Sequence, residues 1–217
     1  MSTSAAAGGA LTPSPNLLLD AWWPKPTAAQ KSRATSVVRN AVAIVGVTAL
    51  TAICAQIVIP IPGTPVPFTM QTFAVLVGAA AIGPWRGVMS MALYLAIGAL
   101  GAPVFSDGGS GVARIFSTTG GYLIGFIAAA WVVGYLAQRG ESKKWFSAAL
   151  AFLVGSLVIY AFGVSGLVLF AGMTPAEAIS KGMLPFIAGD VIKAAAAGVT
   201  LPLAWRSTKP NSNRNSK

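Results

Sequence analysis

The chain has 217 residues, of which 55% are hydrophobic and only 9% charged, against about a quarter charged in soluble domains. With a mean hydropathy of +0.71 it falls among integral membrane proteins. The 15 Lys and Arg outnumber the five Asp and Glu, but they lie in short clusters between apolar stretches, which points to a membrane surface and not to nucleic acid.

Histidine is missing, and the one cysteine, Cys54, sits in an apolar run. These facts exclude histidine-based hydrolase triads, zinc-protease motifs, di-iron sites, disulfide frameworks and thiolate metal clusters. No catalytic residue, metal or cofactor is therefore expected in this chain.

Residues 1–36 read as a disordered cytoplasmic N-terminal tail, rich in Ala, Ser, Thr and Pro, with Trp22 and Trp23 as an interfacial pair. The run Leu17-Leu18-Leu19 is too short for the apolar core of a secretory leader. Residues 37–205 form the membrane domain. The expected fold is all-α, an integral membrane protein of six transmembrane helices with structured external loops. The apolar segments 40–59, 69–82, 87–100, 120–136, 146–170 and 188–203 carry that reading.

Pro60 and Pro62 end the first span, and residues 60–68 form a stiff extended connection. Gly83-Pro84-Trp85-Arg86 separates the second span from the third, as expected at a membrane surface. A Gly-rich connection runs over 101–117, and residues 206–217 form a basic cytoplasmic tail.

Orientation follows from the basic residues of the connections. Lys25, Lys31, Arg33, Arg39, Arg86, Arg139, Lys143, Lys144, Arg206, Lys209, Arg214 and Lys217 fall on one side, and Arg114 and Lys181 on the other. Both termini are accordingly expected in the cytoplasm, with the chain multi-pass in its membrane.

Within the sixth segment stand Asp190 and Lys193, three apart and so on one helical face. An ionised group at the centre of a membrane helix costs about 2.5–3.5 kcal/mol on insertion scales, so it needs a partner or a task. Two readings are open: an ion pair that pins helices together, or a polar ligand site.

Thr69 and Gln71 flank the first outer connection, and Arg114, Ser117, Thr118, Thr119 and Tyr122 close the second. Neutral hydrogen-bonding groups, one cation and the Asp190–Lys193 pair suit an uncharged heterocycle with N–H donors and a carbonyl, joined to an anionic tail. The two connections are either plain exterior loops or lids over that site. On the first helix, small residues recur four apart at Thr48 and Ala52 and at Thr51 and Ala55. Such a stripe permits close helix approach, either inside the bundle or as a docking face at Thr48, Ala52 and Ala55 for another subunit.

Four blocks together resemble the BioY family, the biotin-specific S components of energy-coupling factor transporters. They are Val58 to Gln71 (VIPIPGTPVPFTMQ), Gly101 to Phe105 (GAPVF), Thr119 to Tyr122 (TGGY) and Pro185 to Lys193 (PFIAGDVIK). Thr118 stands where the family commonly has proline before Thr-Gly-Gly-Tyr. The resemblance implies a six-helix subunit that takes biotin from outside and mediates its uptake together with a transmembrane coupling subunit and two ATP-binding-cassette ATPases. ATP would be used by those partners.

It further implies substrate binding by Asp190 and Lys193, to which the place of Arg114, Gln71, Thr119 and Tyr122 beside the two outer connections adds four more candidate binding residues. The ureido N–H groups would donate to Asp190, the ureido carbonyl would meet Lys193 or a neutral donor, and the biotin carboxylate would point outward toward Arg114. The chain has no Gly-x-x-x-x-Gly-Lys-Ser/Thr loop of its own. Two other classes stay open. A membrane enzyme on a lipid substrate would need paired carboxylates for metal, and Asp20, Asp107, Glu141, Glu177 and Asp190 are scattered. A stand-alone ion-coupled transporter of a small carboxylated solute would use Asp190 as a relay.

Overall fold

Long apolar runs become helices in this chain because a bilayer leaves backbone N–H and C=O groups no partner outside the segment itself. The computed structural model describes residues 16–23 and 33–208. Its helices are α1 (Leu18–Trp22), α2 (Arg33–Ala55), α3 (Gln71–Ile82), α4 (Pro84–Ala99), α5 (Val112–Ile115), α6 (Gly120–Gln138), α7 (Trp145–Ala171), α8 (Pro175–Gly182) and α9 (Leu184–Arg206). A two-stranded hairpin, β1 (Val58–Ile59) and β2 (Phe68–Thr69), lies between α2 and α3 and pairs antiparallel, with Val58 opposite Thr69.

The six longest helices follow the order expected from hydropathy, but they are not six equal spans. Four of them, α2, α6, α7 and α9, are long and apolar enough to cross a membrane. With 12 and 16 residues, α3 and α4 rise about 18 and 24 Å, short of a hydrocarbon core of about 30 Å. The hairpin takes the residues before Gln71, and Gly83, at φ 89°, turns the chain sharply into Pro84. That positive φ suits glycine alone.

α6 and α7 approach backbone to backbone. A Cβ on Gly121 would stand 2.4 Å from Phe162 O and 2.8 Å from Gly166 Cα, so both glycines are needed for this contact. The interior is closed by side chains such as Leu76, Met91, Phe126, Phe152 and Ile159, all buried. Val42, Val45, Ile53, Leu157, Leu169 and Ile192 are exposed around the outside, where a bilayer would cover them.

The connections sort to two ends. At one end Leu17 packs on Gly83, Arg39 Nη1 donates to Asp20 Oδ1 at 3.1 Å, and Arg86 Nε donates to Asn40 Oδ1 at 2.9 Å. Lys143 Nζ reaches Asn16 Oδ1 at 2.9 Å, and Trp205 Nε1 reaches Ser142 Oγ at 3.1 Å. The opposite end carries the hairpin, the connection over 100–119 and α8.

Two expectations are corrected. Residues 18–22 are helical with Leu17 and Leu18 buried, and α2 begins at Arg33, where a disordered tail to residue 36 was expected. A five-residue helix has no period to read and forms only through tertiary contacts. The rest of that tail, and residues 209–217, lie outside the described residues.

Thr48, Ala52 and Ala55 do not form an outward docking face. Thr48 and Ala55 are buried, Ala52 packs half-covered against the core, and Thr48 Oγ1 lies 2.9 Å from both Ile44 O and Ser90 O. The small-residue stripe closes α2 onto its own neighbours, α3 and α4. The connection between α7 and α9 holds α8, which begins with a capping box of Thr174 and Glu177 and Pro175 at its first turn.

Candidate ligand-binding site

Asp190 and Lys193 are joined on one face of α9, with Nζ 3.1 Å from Oδ1 and each side chain 6% exposed. Two ions so far from water require further partners, since desolvation otherwise outweighs their attraction. Those partners are present. Lys193 Nζ also donates to Thr69 O at 2.9 Å and Thr72 Oγ1 at 2.7 Å, which uses its three protons. The ammonium lies 3.8 Å from the centre of the Phe68 ring, close enough for attraction to the π face.

On the other carboxylate oxygen, Tyr160 Oη of α7 donates to Asp190 Oδ2 at 2.6 Å. A carboxylate has about four lone-pair sites, and Lys193 and Tyr160 take two. Asp190 is therefore a fixed anion, with acceptor capacity left for donors arriving from outside the protein.

The pair lies at the floor of a cavity between the hairpin, α3, α6, α7 and α9 that encloses about 590 Å³ of atom-free space, open mouth included. Its walls are largely apolar, with Phe68, Phe105, Phe126, Ile159 and Phe186 among them. The Phe68 and Phe186 rings lie parallel within 4°, 6.4 Å between centroids. Above the floor, Thr118 Oγ1 donates to Pro65 O at 3.4 Å, linking the two long connections. A polar floor under apolar walls suits a small molecule with a polar head and an apolar body.

Of the site residues expected from sequence, Asp190, Lys193, Gln71, Thr119 and Tyr122 line this cavity together. Gln71 is occupied by neighbours: Nε2 donates to Tyr94 Oη at 2.7 Å, and Oε1 accepts from Thr69 Oγ1 at 3.1 Å. Tyr122 donates its hydroxyl to Gly182 O at 2.6 Å and so offers the cavity its ring. Thr119 Oγ1 is 3.3 Å from Ser117 Oγ.

Arg114 is not among the lining residues. The short α5 turns it toward Ser106 O, to which Nη2 donates at 3.3 Å, and its buried Nε has no protein partner. Sequence reasoning missed Tyr160, Thr72 and the aromatic walls. For Tyr160 a signal existed, because a tyrosine in the middle of an apolar span needs a partner for its hydroxyl.

Comparison with known proteins gives the family. Residues 27–210 match the BioY family. The biotin transporter BioY of Thermotoga maritima is 40% identical over 152 residues, which cover 70% of this chain and 87% of that protein. The probable biotin transporter BioY of Pyrococcus horikoshii is 41% identical over 149 residues, or 69% of this chain and 85% of that protein. The fold is similar, with a TM-score of 0.72 at 26% identity, to the crystal structure of the S-component for biotin from an ECF-type ABC transporter, over 84% of this chain and 95% of that one. The chain belongs to the BioY family.

Proposed function

We propose that this chain is the biotin-binding membrane subunit of an uptake system, working with a transmembrane coupling subunit and ATP-binding-cassette ATPases. The observation that carries this reading is the buried Asp190–Lys193–Tyr160 cluster at the floor of an otherwise apolar cavity, in a chain similar to biotin transporters over most of its length. The ureido N–H groups donate to the open lone pairs of Asp190. Because Lys193 has given all three protons, the ureido carbonyl accepts from a neutral group such as the Thr72 hydroxyl, whose own proton is free to donate. The apolar rings of biotin fill the aromatic walls, and its carboxylate faces the mouth. Arg114 would have to release Ser106 O to reach it.

In this reading α3 and α4 complete a bundle of six crossings, and the end that carries Arg39, Arg86, Lys143 and Arg206 faces the cytoplasm. Both termini lie there, in the inner membrane of a bacterial cell. The chain performs no chemistry on its ligand, and energy enters through the partner ATPases.

Reconstituted protein alone should bind biotin, with a one-to-one isotherm, and should accumulate it in proteoliposomes only with the coupling subunit, ATPases and ATP. Absence of binding would overturn the assignment. Accumulation driven by an ion gradient without partners would instead establish the stand-alone transporter.

A further inference from the structure

Phe105 and Ser106 form a cavity wall that belongs to the connection after α4, and that wall is held from behind. Tyr94 on α4 is fully buried, and its hydroxyl donates to Val104 O at 2.8 Å while accepting from Gln71 Nε2 at 2.7 Å. Its ring meets Phe105 edge-on, 5.5 Å between centroids. Gln71 Oε1 accepts from Thr69 Oγ1 at 3.1 Å, and Thr69 O accepts from Lys193 Nζ at 2.9 Å.

These contacts form one continuous series from the ammonium at the floor to the backbone of the wall. The Tyr94 hydroxyl, carried on a rigid ring, supplies both the donor and the acceptor at its centre. Gln56 gives the same wall a second, more exposed anchor, donating to Phe105 O at 3.2 Å and accepting from Gly108 N at 3.1 Å.

We infer that Tyr94 is a positioning residue that fixes the Phe105 wall relative to the Asp190–Lys193 pair, so that ligand retention depends on a hydroxyl that never touches the ligand. The part concerning retention rests on the biotin reading above. Removing the hydroxyl leaves Gln71 N–H and Val104 C=O without their partner. Water restores those bonds only if the wall moves outward.

The first test needs no ligand. In a Cys54→Ala background, Ser106→Cys places a thiol on the wall, where Ser106 is buried, and a soluble maleimide reports its exposure in membrane vesicles. Tyr94→Phe should raise the labelling rate by about ten-fold, the scale of one unpaired buried group, whereas Trp85→Ala, an exposed aromatic at the opposite end of the bundle, should not. An unchanged rate overturns the inference.

With biotin as the probe, Tyr94→Phe should speed dissociation about ten-fold and leave association unchanged. Gln71→Met breaks the same series from its other side and serves if Tyr94→Phe folds poorly. The double variant should be no worse than either single one, since both act on one series, and additive effects would refute it. If biotin fails to slow labelling of the Ser106→Cys protein while Tyr94→Phe still speeds it, the biotin reading falls and the wall role stands. If biotin slows labelling and Tyr94→Phe changes nothing, the wall role falls and the biotin reading stands.

Discussion

Asp190→Asn keeps the size of the side chain and removes its charge, so it tests the cluster at the floor of the cavity directly. Hydrogen bonds to a charged group are worth about 1.5–3 kcal/mol, so a ligand that donates N–H groups to this carboxylate should bind about ten-fold to a hundred-fold more weakly. The fold also feels the change. Breaking a buried ion pair from one side costs about 3–5 kcal/mol when the surviving charge is stranded. Here Lys193 keeps Thr69 O, Thr72 Oγ1 and the Phe68 ring, and the Asn oxygen still accepts from Tyr160 or Lys193, so the loss should fall below that range. Melting of purified protein in detergent, with and without biotin, separates the two effects. Ligand at 1,000 times Kd stabilises by about 4.1 kcal/mol, and a hundred-fold weaker Kd at the same concentration leaves about 1.4 kcal/mol. An Asp190→Asn protein that melts normally and gains the full biotin shift would refute the role assigned to this carboxylate and return the pair to a structural ion pair.

Tyr160→Phe deletes the 2.6 Å donor to Asp190 Oδ2 and leaves the ring in place. Biotin affinity measured by calorimetry should fall about three-fold to ten-fold, and unchanged affinity would remove Tyr160 from the site. Gly121→Ala drives a methyl group against Phe162 O and Gly166 Cα, so the ligand-free protein should lose about 1–3 kcal/mol of stability or more. A neutral result would mean that α6 and α7 can separate freely. In a Cys54→Ala background, cysteine placed at Glu177 should react with an impermeant maleimide from outside the cell and cysteine placed at Arg139 should not. The reverse pattern would invert the topology.

What could be read from the sequence divides along a physical line. Asp190 and Lys193 stood out because a charge in an apolar span costs several kcal/mol wherever that span packs, and the structure does join them, each to the other and to further partners. Helix order was legible for the same reason, since hydropathy reports burial in lipid without reference to neighbours. The small-residue stripe of α2 announced close approach but not to what, so an inner contact and an outer docking face were equally open until Thr48 and Ala55 were found facing inward.

Hydroxyls were the least legible groups of all. A hydroxyl in a helix can be satisfied by the carbonyl one turn back, as Thr51 Oγ1 is by Val47 O and Ser165 Oγ is by Ala161 O. Such a residue gives no sign of what lies across from it. Tyr160, Tyr94 and Thr72 look the same in the sequence, but they take part in bonds between elements, to Asp190, to Gln71 and Val104, and to Lys193. Tyrosine differs from threonine in one usable respect: its hydroxyl stands too far from its own backbone to bond one turn back, so within an apolar span it must find a partner on another element. Tyr94, Tyr122 and Tyr160 all do so, and all three hold either the floor or the walls of one cavity. The fourth tyrosine, Tyr135, is exposed beside Arg139 and lies away from the cavity, so the three buried tyrosines marked the cavity through the reach of the side chain and not through the cost of burying it.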